Sequence, residues 1–320
     1  MANHERVPAF IRYLNPVKGR WTRELLNLLL RLSVKSQHGL HIDIAKLRKN
    51  FARLNQQAPK SLTTEACRES VQCNGVAAHW LTPEGSCPDR VLLYFHGGAF
   101  VAYTPDVYAA MVASWCQPLN IRALLVDYRL APEHPYPTAL EDCLGAYHWL
   151  LEQGIDASNI VIAGDSAGGN LVLAALQHLK AGNHPLPSCA VLLSPFLDFT
   201  LSGPSALNNA HYDPIFTLAF AVGIRGFYAP AAMHAHPAVS PLFGEFAGLP
   251  PLLVQVGSTE MLLDDATRAA AKADAAGVPV CLEVWQRLPH VFQMIHALPQ
   301  ARVAAQNIQR FVSAHTAWDG

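Results

Sequence analysis

One serine set between glycines, in the run Gly164-Asp165-Ser166-Ala167-Gly168, directly follows the apolar stretch Ile160 to Ala163. That stretch reads as a buried strand. The residues after it read as a helix from about Ala167 through Leu171, Leu173, Ala174, Leu176 and Leu179. A strand that turns at once into a helix holds its central residue in a strained backbone conformation. Side chains on either side would collide with the strand or the helix, and glycine at 164 and 168 removes both collisions. Ser166 then stands at a helix N-terminus, where unpaired backbone N–H groups favour a developing negative charge. The glycine spacing does not match a dinucleotide or phosphate loop, and the lysine such a loop needs is absent, so no nucleotide cofactor is expected.

A fold built around such a turn needs a large core, and the chain can supply one. Of its 320 residues 51% are hydrophobic and 15% charged, which predicts one globular unit with an elaboration. A formal net charge of −1 offers no field for nucleic acid, so a neutral small molecule is the expected partner. Glu5, Arg6, Arg12 and Lys18 interrupt the N-terminus, which lacks a signal-peptide pattern, and no run reaches the roughly 18 apolar residues of a membrane span. Seven scattered cysteines, an odd number, fit small buried hydrophobes in a reducing cytoplasm better than a disulfide framework.

The rhythm along the chain predicts an α/β architecture. Short apolar runs at Val76 to Leu81, Val91 to Phe95, Ile121 to Val126, Ile160 to Ala163, Ala190 to Leu193, Leu252 to Val256 and Val280 to Trp285 read as strands. Helical patterns lie between them near 107–117, 138–152, 169–181 and 263–276, so a mostly parallel central sheet flanked by helices is expected. Residues 1–55 read as basic and helical, with Trp21, Leu25, Leu28, Leu29 and Leu32 on one face and Ile42, Ile44, Leu47, Phe51 and Leu54 following. Between Pro195 and Pro250 no sheet strand is expected, a gap too long for a simple crossover. The reading is a catalytic body of residues 56–199 and 236–320, covered by a cap made of residues 1–55 and an inserted helical segment, 200–235.

A serine hydroxyl is a weak nucleophile at neutral pH and needs a base, which in turn needs an acid to hold its tautomer. His290 lies in the loop after the last strand, with Leu288 and Pro289 setting its approach, and is the expected base; His296 is the runner-up. Glu260 follows the preceding strand and is the expected acid. Asp264, the alternative, sits with Asp265 in what reads as the first turn of the next helix, where carboxylates serve the helix dipole. His96-Gly97-Gly98-Ala99-Phe100 follows strand Val91 to Phe95 and is a candidate oxyanion loop, with Gly97, Gly98 and Ala167 the expected donors and His96 a brace. His234-Ala235-His236 has metal-like spacing but no third ligand cluster beside it, so no metal is expected.

In these blocks, and in Tyr128-Arg129-Leu130-Ala131-Pro132-Glu133-His134-Pro135-Tyr136-Pro137, the chain resembles the bacterial hormone-sensitive lipase family of carboxylesterases, within the α/β-hydrolase fold. The resemblance runs from about Val71 to Phe311. It implies a cofactor-independent serine carboxylesterase acting through an acyl-enzyme, and a cap that shapes the acyl and alcohol pockets. Two positions depart from the family pattern. Glu260-Met261-Leu262 stands where aspartate, proline and leucine are usual, and Ala99 where a third glycine is common.

Phe100, Tyr103, Phe196, Leu197, Tyr212, Phe216 and Tyr228 are candidate pocket-lining residues, and so many aromatics suggest short to medium acyl chains. The competing class is a non-catalytic small-molecule-binding protein on the same scaffold; retention of Ser166, Glu260 and His290 together argues against it. Amidase, lactonase and acyltransferase activities would use the same groups. The basic amphipathic N-terminus reads as a helix covering the core rather than a lipid-binding segment. An exposed last strand would offer an edge for pairing with a second copy in a homodimer.

Overall fold

The computed structural model describes residues 8–15, 19–37, 42–58 and 66–318. Its strands are β1 (Ile11–Leu14), β2 (Ala66–Cys73), β3 (Val76–Pro83), β4 (Cys87–Phe95), β5 (Ile121–Val126), β6 (Ile160–Asp165), β7 (Cys189–Leu193), β8 (Leu252–Gly257) and β9 (Val280–Trp285). They form one sheet in the order β1-β9-β8-β7-β6-β4-β5-β3-β2. The run from β1 to β5 is parallel, while β3 is antiparallel to both β5 and β2. Asn74 and Gly75 make the β2–β3 turn with φ of 51° and 88°, the left-handed pair a two-residue hairpin requires.

The central strands read as continuous apolar runs because both faces of the sheet are covered. Val91, Leu93 and Phe95 of β4 join a core with α4 (Thr138–Glu152), α5 (Ala167–Ala181) and α8 (Leu263–Ala275). Leu92 and Tyr94 point the other way, into a second core with α3 (Pro105–Leu119) and α9 (Pro299–His315). The two-residue period of the strand thus feeds two hydrophobic layers at once.

The cap region holds α1 (Arg20–Ser33), α2 (Ile44–Asn55), the short α6 (Ser205–Asn208) and α7 (Leu218–Tyr228). Asp43 caps α2 by accepting from Lys46 N. Ile44, Leu47 and Phe51 of α2 pack with Phe220 and Ile224 of α7 over Val101, Ala102 and Ala131. Arg48 anchors the contact: it donates to the carbonyls of Val101 and Ala131 and pairs with Glu133 through both terminal nitrogens. The 128–137 segment is therefore a junction. Tyr128 donates to His96 O, Ala131 N to Phe100 O and Tyr136 N to Tyr228 O, while Arg129 grips Asp142 of α4.

Three features of the N-terminal region differ from the sequence reading. Residues 11–14 form a strand, not part of a helix, because the open edge of β9 supplies partners: Leu282 N donates to Phe10 O and Gln286 N to Leu14 O. The last strand is consequently not the sheet edge expected for pairing with a second copy; β1 covers most of it. And α1 does not cover the core with its apolar face. It docks through polar groups, Arg23 donating to Gln286 O and Asn27 to Arg287 O.

Replacing Arg48 with Met keeps the aliphatic stem but removes the hydrogen bonds from Arg48 to Ala131 O and Glu133 that tie α2 to the 128–137 junction. Hydrogen exchange should quicken across residues 44–55 while the amides of β4 to β8 keep their protection, because local opening is governed by local contacts.

Candidate active site

Ser166 occupies the turn between β6 and α5 with φ 52° and ψ −115°, a conformation that side-chain-bearing residues rarely adopt. A Cβ at Gly168 would drive into Phe95 O, and one at Gly164 would stand 2.5 Å from Gly168 O and 2.8 Å from Phe95 O. Glycine at both positions is thus dictated by the close passage of β4. Ser166 N is held by Leu193 O at 2.8 Å, and Phe196 N donates to Ser166 O at 3.0 Å.

His290 lies in the loop beyond β9, and its Nδ1 is 2.7 Å from Glu260 Oε2. The carboxylate accepts, so Nδ1 carries the proton and the Nε2 lone pair is left free to act as base. The other carboxylate oxygen, Oε1, accepts from Gly257 N at 2.5 Å and from Ser194 Oγ at 2.8 Å. The Ser194 hydroxyl also accepts from Val291 N at 3.2 Å, which couples the acid to the backbone beside the base. Burial alone would push the His290 pKa down, but the Glu260 hydrogen bond and the charges of Glu260, Asp213 and Asp165 outweigh it and raise it above 6.5.

Asp264, the alternative acid, accepts from Ser205 N and belongs to the contact between α8 and the cap. His296 is half-buried, and burial lowers its pKa. Of the metal-like pair, His234 Nε2 lies 3.0 Å from Ala229 O and His236 Nδ1 accepts from Ala238 N. Among the described residues no group of three or more His, Cys, Asp or Glu side chains could hold a metal ion.

The oxyanion loop requires a correction. Gly97 N donates to Asp165 Oδ1 at 2.8 Å and is spent on holding the loop to the elbow. Among the described residues no backbone acceptor stands on the N–H groups of Gly98, Ala99 or Ala167. Gly98 has φ 107°, and a Cβ there would strike Ala102 O, so only glycine fits. Ala99 and Phe100 follow with φ 56° and 63°. His96 lies between the rings of Tyr103 and Tyr128 at 4.0 Å from each, with Nδ1 2.5 Å from Gly97 O; burial lowers its pKa to about 3, so it stays neutral.

An apolar cavity opens beside Ser166, lined by Ala99, Phe100, Phe196, Phe216, Phe220, Ala221, Ile224, Arg225 and Leu262. The Phe216 ring also meets the His290 ring edge-on at 4.7 Å, which places base and cavity together. Tyr103, Leu197, Tyr212 and Tyr228 do not line it. Tyr103 is taken up by stacking on His96, Leu197 is buried with its N–H on Asp265, Tyr212 points outward at 56% exposure, and Tyr228 stacks behind Phe100.

Sequence reasoning missed three polar residues. Asp165 takes hydrogen bonds from Tyr94, Gly97 N and Tyr108, and burial raises its pKa to about 6. Its place before the serine was visible, its partners were not. Ser194 and the buried Asp213, which accepts from Ile215 N, Phe216 N and Met261 N, carry no local signal at all.

The signature of the alpha/beta hydrolase fold matches residues 92–294. A solved esterase of the bacterial hormone-sensitive lipase family superimposes with a TM-score of 0.85 at 36% identity, covering 92% of this chain and 97% of that one. The chain belongs to the bacterial hormone-sensitive lipase family. An esterase of Acinetobacter venetianus is 33% identical over 296 residues, 92% of this chain and 97% of the relative. An acetyl-hydrolase of Streptomyces hygroscopicus is 37% identical over 240 residues, 75% of this chain and 80% of the relative. As a member of this family, the chain is a carboxylic ester hydrolase acting on small ester substrates. Among the described residues no helix is long and apolar enough to cross a membrane.

A histidine that acts as general base must be neutral to accept a proton, so in that role the raised pKa would hold His290 in an inactive cationic form to higher pH. The acid limb of kcat/KM should have its midpoint above 6.5. Replacing Glu260 with Gln removes the charge that raises it, so the midpoint should fall, with kcat down by about 10³–10⁴-fold.

Proposed function

We propose that Ser166, His290 and Glu260 form the catalytic triad of a cofactor-independent carboxylesterase for short- to medium-chain esters. His290 Nε2 takes the Ser166 proton as Oγ attacks the ester carbonyl. The carbonyl oxygen, now negative, sits on the N–H groups of Gly98, Ala99 and Ala167, each such donor contributing about 3 kcal/mol to the transition state. The tetrahedral intermediate collapses as His290 gives its proton to the departing alcohol, leaving the acyl group on Ser166. Water enters, His290 removes its proton, and a second collapse releases the carboxylic acid and restores the serine. Glu260 accepts the Nδ1 hydrogen bond throughout and stabilises the imidazolium.

The observation that carries this reading is the hydrogen-bonded relay from Ser194 and Gly257 through Glu260 to His290, both of whose acidic and basic side chains are nearly closed to solvent. A protein that only bound ligand would have no need of a buried, fully bonded carboxylate behind a histidine. The acyl preference rests on the cavity, whose bulky lining, Phe100, Phe196, Phe216, Phe220 and Ile224, supports a short chain. A reducing, cytoplasmic setting is supported by the free thiols of Cys73, Cys116, Cys143 and Cys189, all buried.

A series of p-nitrophenyl esters from acetate to palmitate tests both claims. Turnover should peak at short chains, fall steeply toward palmitate, and vanish in Ser166→Ala. Absence of serine-dependent turnover on every ester would transfer the site to the ligand-binding class. Phe220→Ala should move the optimum to longer chains and also lower the melting temperature, because Phe220 is buried against Ile44, Leu47 and Phe51 of α2.

Replacing Ser194 with Ala removes a donor to Glu260 and strands Val291 N. kcat should fall by about tenfold, in line with loss of one buried hydrogen bond, while KM for p-nitrophenyl butyrate holds.

A further inference from the structure

The outer face of α1 is hydrophobic and open to solvent. Trp21, Leu25, Leu28, Leu29 and Leu32 are 87%, 59%, 53%, 53% and 66% exposed. At 3.6 residues per turn these five fall within an arc of about 100°. The opposite face holds Arg23 and Asn27, both buried, with their side chains on the carbonyls of Gln286 and Arg287. An ordinary surface helix turns its apolar stripe to the core and its polar stripe to water. Here Leu26 packs inward on the cluster of Trp285, Leu288 and Phe292, while the five-residue apolar stripe faces water and polar hydrogen bonds tie the inner face in place.

Charge adds a second, independent observation. Residues 1–55 contain eleven Lys and Arg against three Asp and Glu, a surplus of eight positive charges in a chain whose total is −1. The positive field therefore sits on the N-terminal part, and the rest of the protein is acidic. Arg20, the first residue of α1, is exposed next to Trp21 of the apolar stripe.

The patch lies close to the site. Gln286 and Arg287, which receive Arg23 and Asn27, stand in the same loop as His290. Arg31 donates to Tyr212 O, and Lys35 to the carbonyls of Ala210 and Asp213, so α1 and the turn after it also grip the segment leading to Phe216. Tyr212, beside Arg31, is exposed too.

A second copy of the chain is a poor occupant for this face. A helix of 14 residues is about 21 Å long and about 10 Å wide, so its outer side offers a few hundred Å². A standard protein interface buries about 800 Å² per partner. Two copies meeting there would also oppose like charges. A lipid surface needs no matching shape, accepts a helix lying flat with Trp and Leu in the acyl boundary, and, when anionic, complements the basic field.

We propose that the outward face of α1 docks this esterase on anionic lipid–water interfaces, with Trp21 and the four leucines seated in the acyl boundary. The proposal stands independently of which residues carry the triad. The occupant is a bilayer with negatively charged headgroups; the helix lies on it and does not cross it.

Sedimentation of the full chain with vesicles tests this, using phosphatidylcholine alone and phosphatidylcholine mixed with phosphatidylglycerol. The protein should bind the mixed vesicles, bind phosphatidylcholine more weakly, and lose affinity as salt rises. Tryptophan emission should shift to the blue on binding, and Trp21→Phe should abolish the shift. The double variant Leu25→Ser, Leu29→Ser should bind at least about tenfold more weakly, since each leucine withdrawn from water contributes that order in partitioning. Its thermal melt and its kcat/KM on p-nitrophenyl butyrate should match the parent. Failure to bind either vesicle, equal binding to both, or undiminished binding by the double variant would overturn the proposal. So would light scattering that finds a parental dimer which the double variant dissolves, for that would make the face a contact between copies.

Discussion

The Asp165 carboxylate is the joint on which the site is assembled. It ends β6 one residue before the nucleophile and binds Tyr94 of β4, the Gly97 amide of the oxyanion loop and Tyr108 of α3. Three neighbouring parts of the chain, 71, 68 and 57 residues before Asp165, are thereby referred to one point beside Ser166. Such a group is costly to bury, and burial raises its pKa to about 6, yet three donors return much of that cost at about 1.5–3 kcal/mol for each bond to a charged acceptor. The bond to Gly97 also decides the chemistry. With that amide occupied, only the later N–H groups of the loop are open for an oxyanion of the kind proposed, and Gly98, whose left-handed φ no larger residue tolerates, supplies the bend that follows.

Glu260 plays the same part on the other side of the nucleophile. Its two oxygens are divided between an orienting pair, Gly257 N and Ser194 Oγ, and the histidine it serves. Glutamate has one more methylene than the aspartate usual in the family, and the tight backbone contact at Gly257, where a Cβ would meet Leu288 O, brings the strand end and the His290 loop close enough for the longer side chain to fold back. The substitution thus keeps the geometry that the base requires. Asp213 lies behind this pair, held by three backbone amides, and its charge helps keep the imidazolium stable without touching the ring.

Much of this was legible in the chain itself, for identifiable reasons. Strands Ile121–Val126 and Val280–Trp285 appear with the expected limits because polar and turn-forming residues bound compact apolar runs. The elbow was legible because its geometry admits so few residue types. What escaped depended on partners distant in sequence. The Ile11–Leu14 strand has no turn signal of its own and exists because β9 leaves an edge to fill. Gly97 looked like a free donor because the neighbour that claims its amide is 68 residues away. Ser194 and Asp213 sit in segments without any motif. Among the aromatics, composition alone did not separate Phe216 and Phe220, which face the cavity, from Tyr103, which braces His96.

The orientation of α1 shows where periodicity stops being informative. An amphipathic pattern states that two faces differ, and the usual inference that the apolar one turns inward assumes that the core has the larger claim on it. In α2 that assumption holds, with Ile44, Leu47 and Phe51 packed over α7. In α1 it holds for Leu26, which packs on the cluster of Trp285, Leu288 and Phe292, but not for the outer stripe, because the rest of the surface that the helix meets is the carbonyl-rich rim formed by Gln286 and Arg287 and, further along, by Ala210 to Asp213. Unpaired carbonyls attract Arg23, Asn27 and Arg31 more strongly than they attract leucine, since a polar group covered without a partner costs more than an apolar side chain left in water. The helix therefore rotates its donors inward and its leucines outward. The same rim carries the loop of His290, so the force that exposes the apolar stripe also fixes it beside the cavity at Ser166.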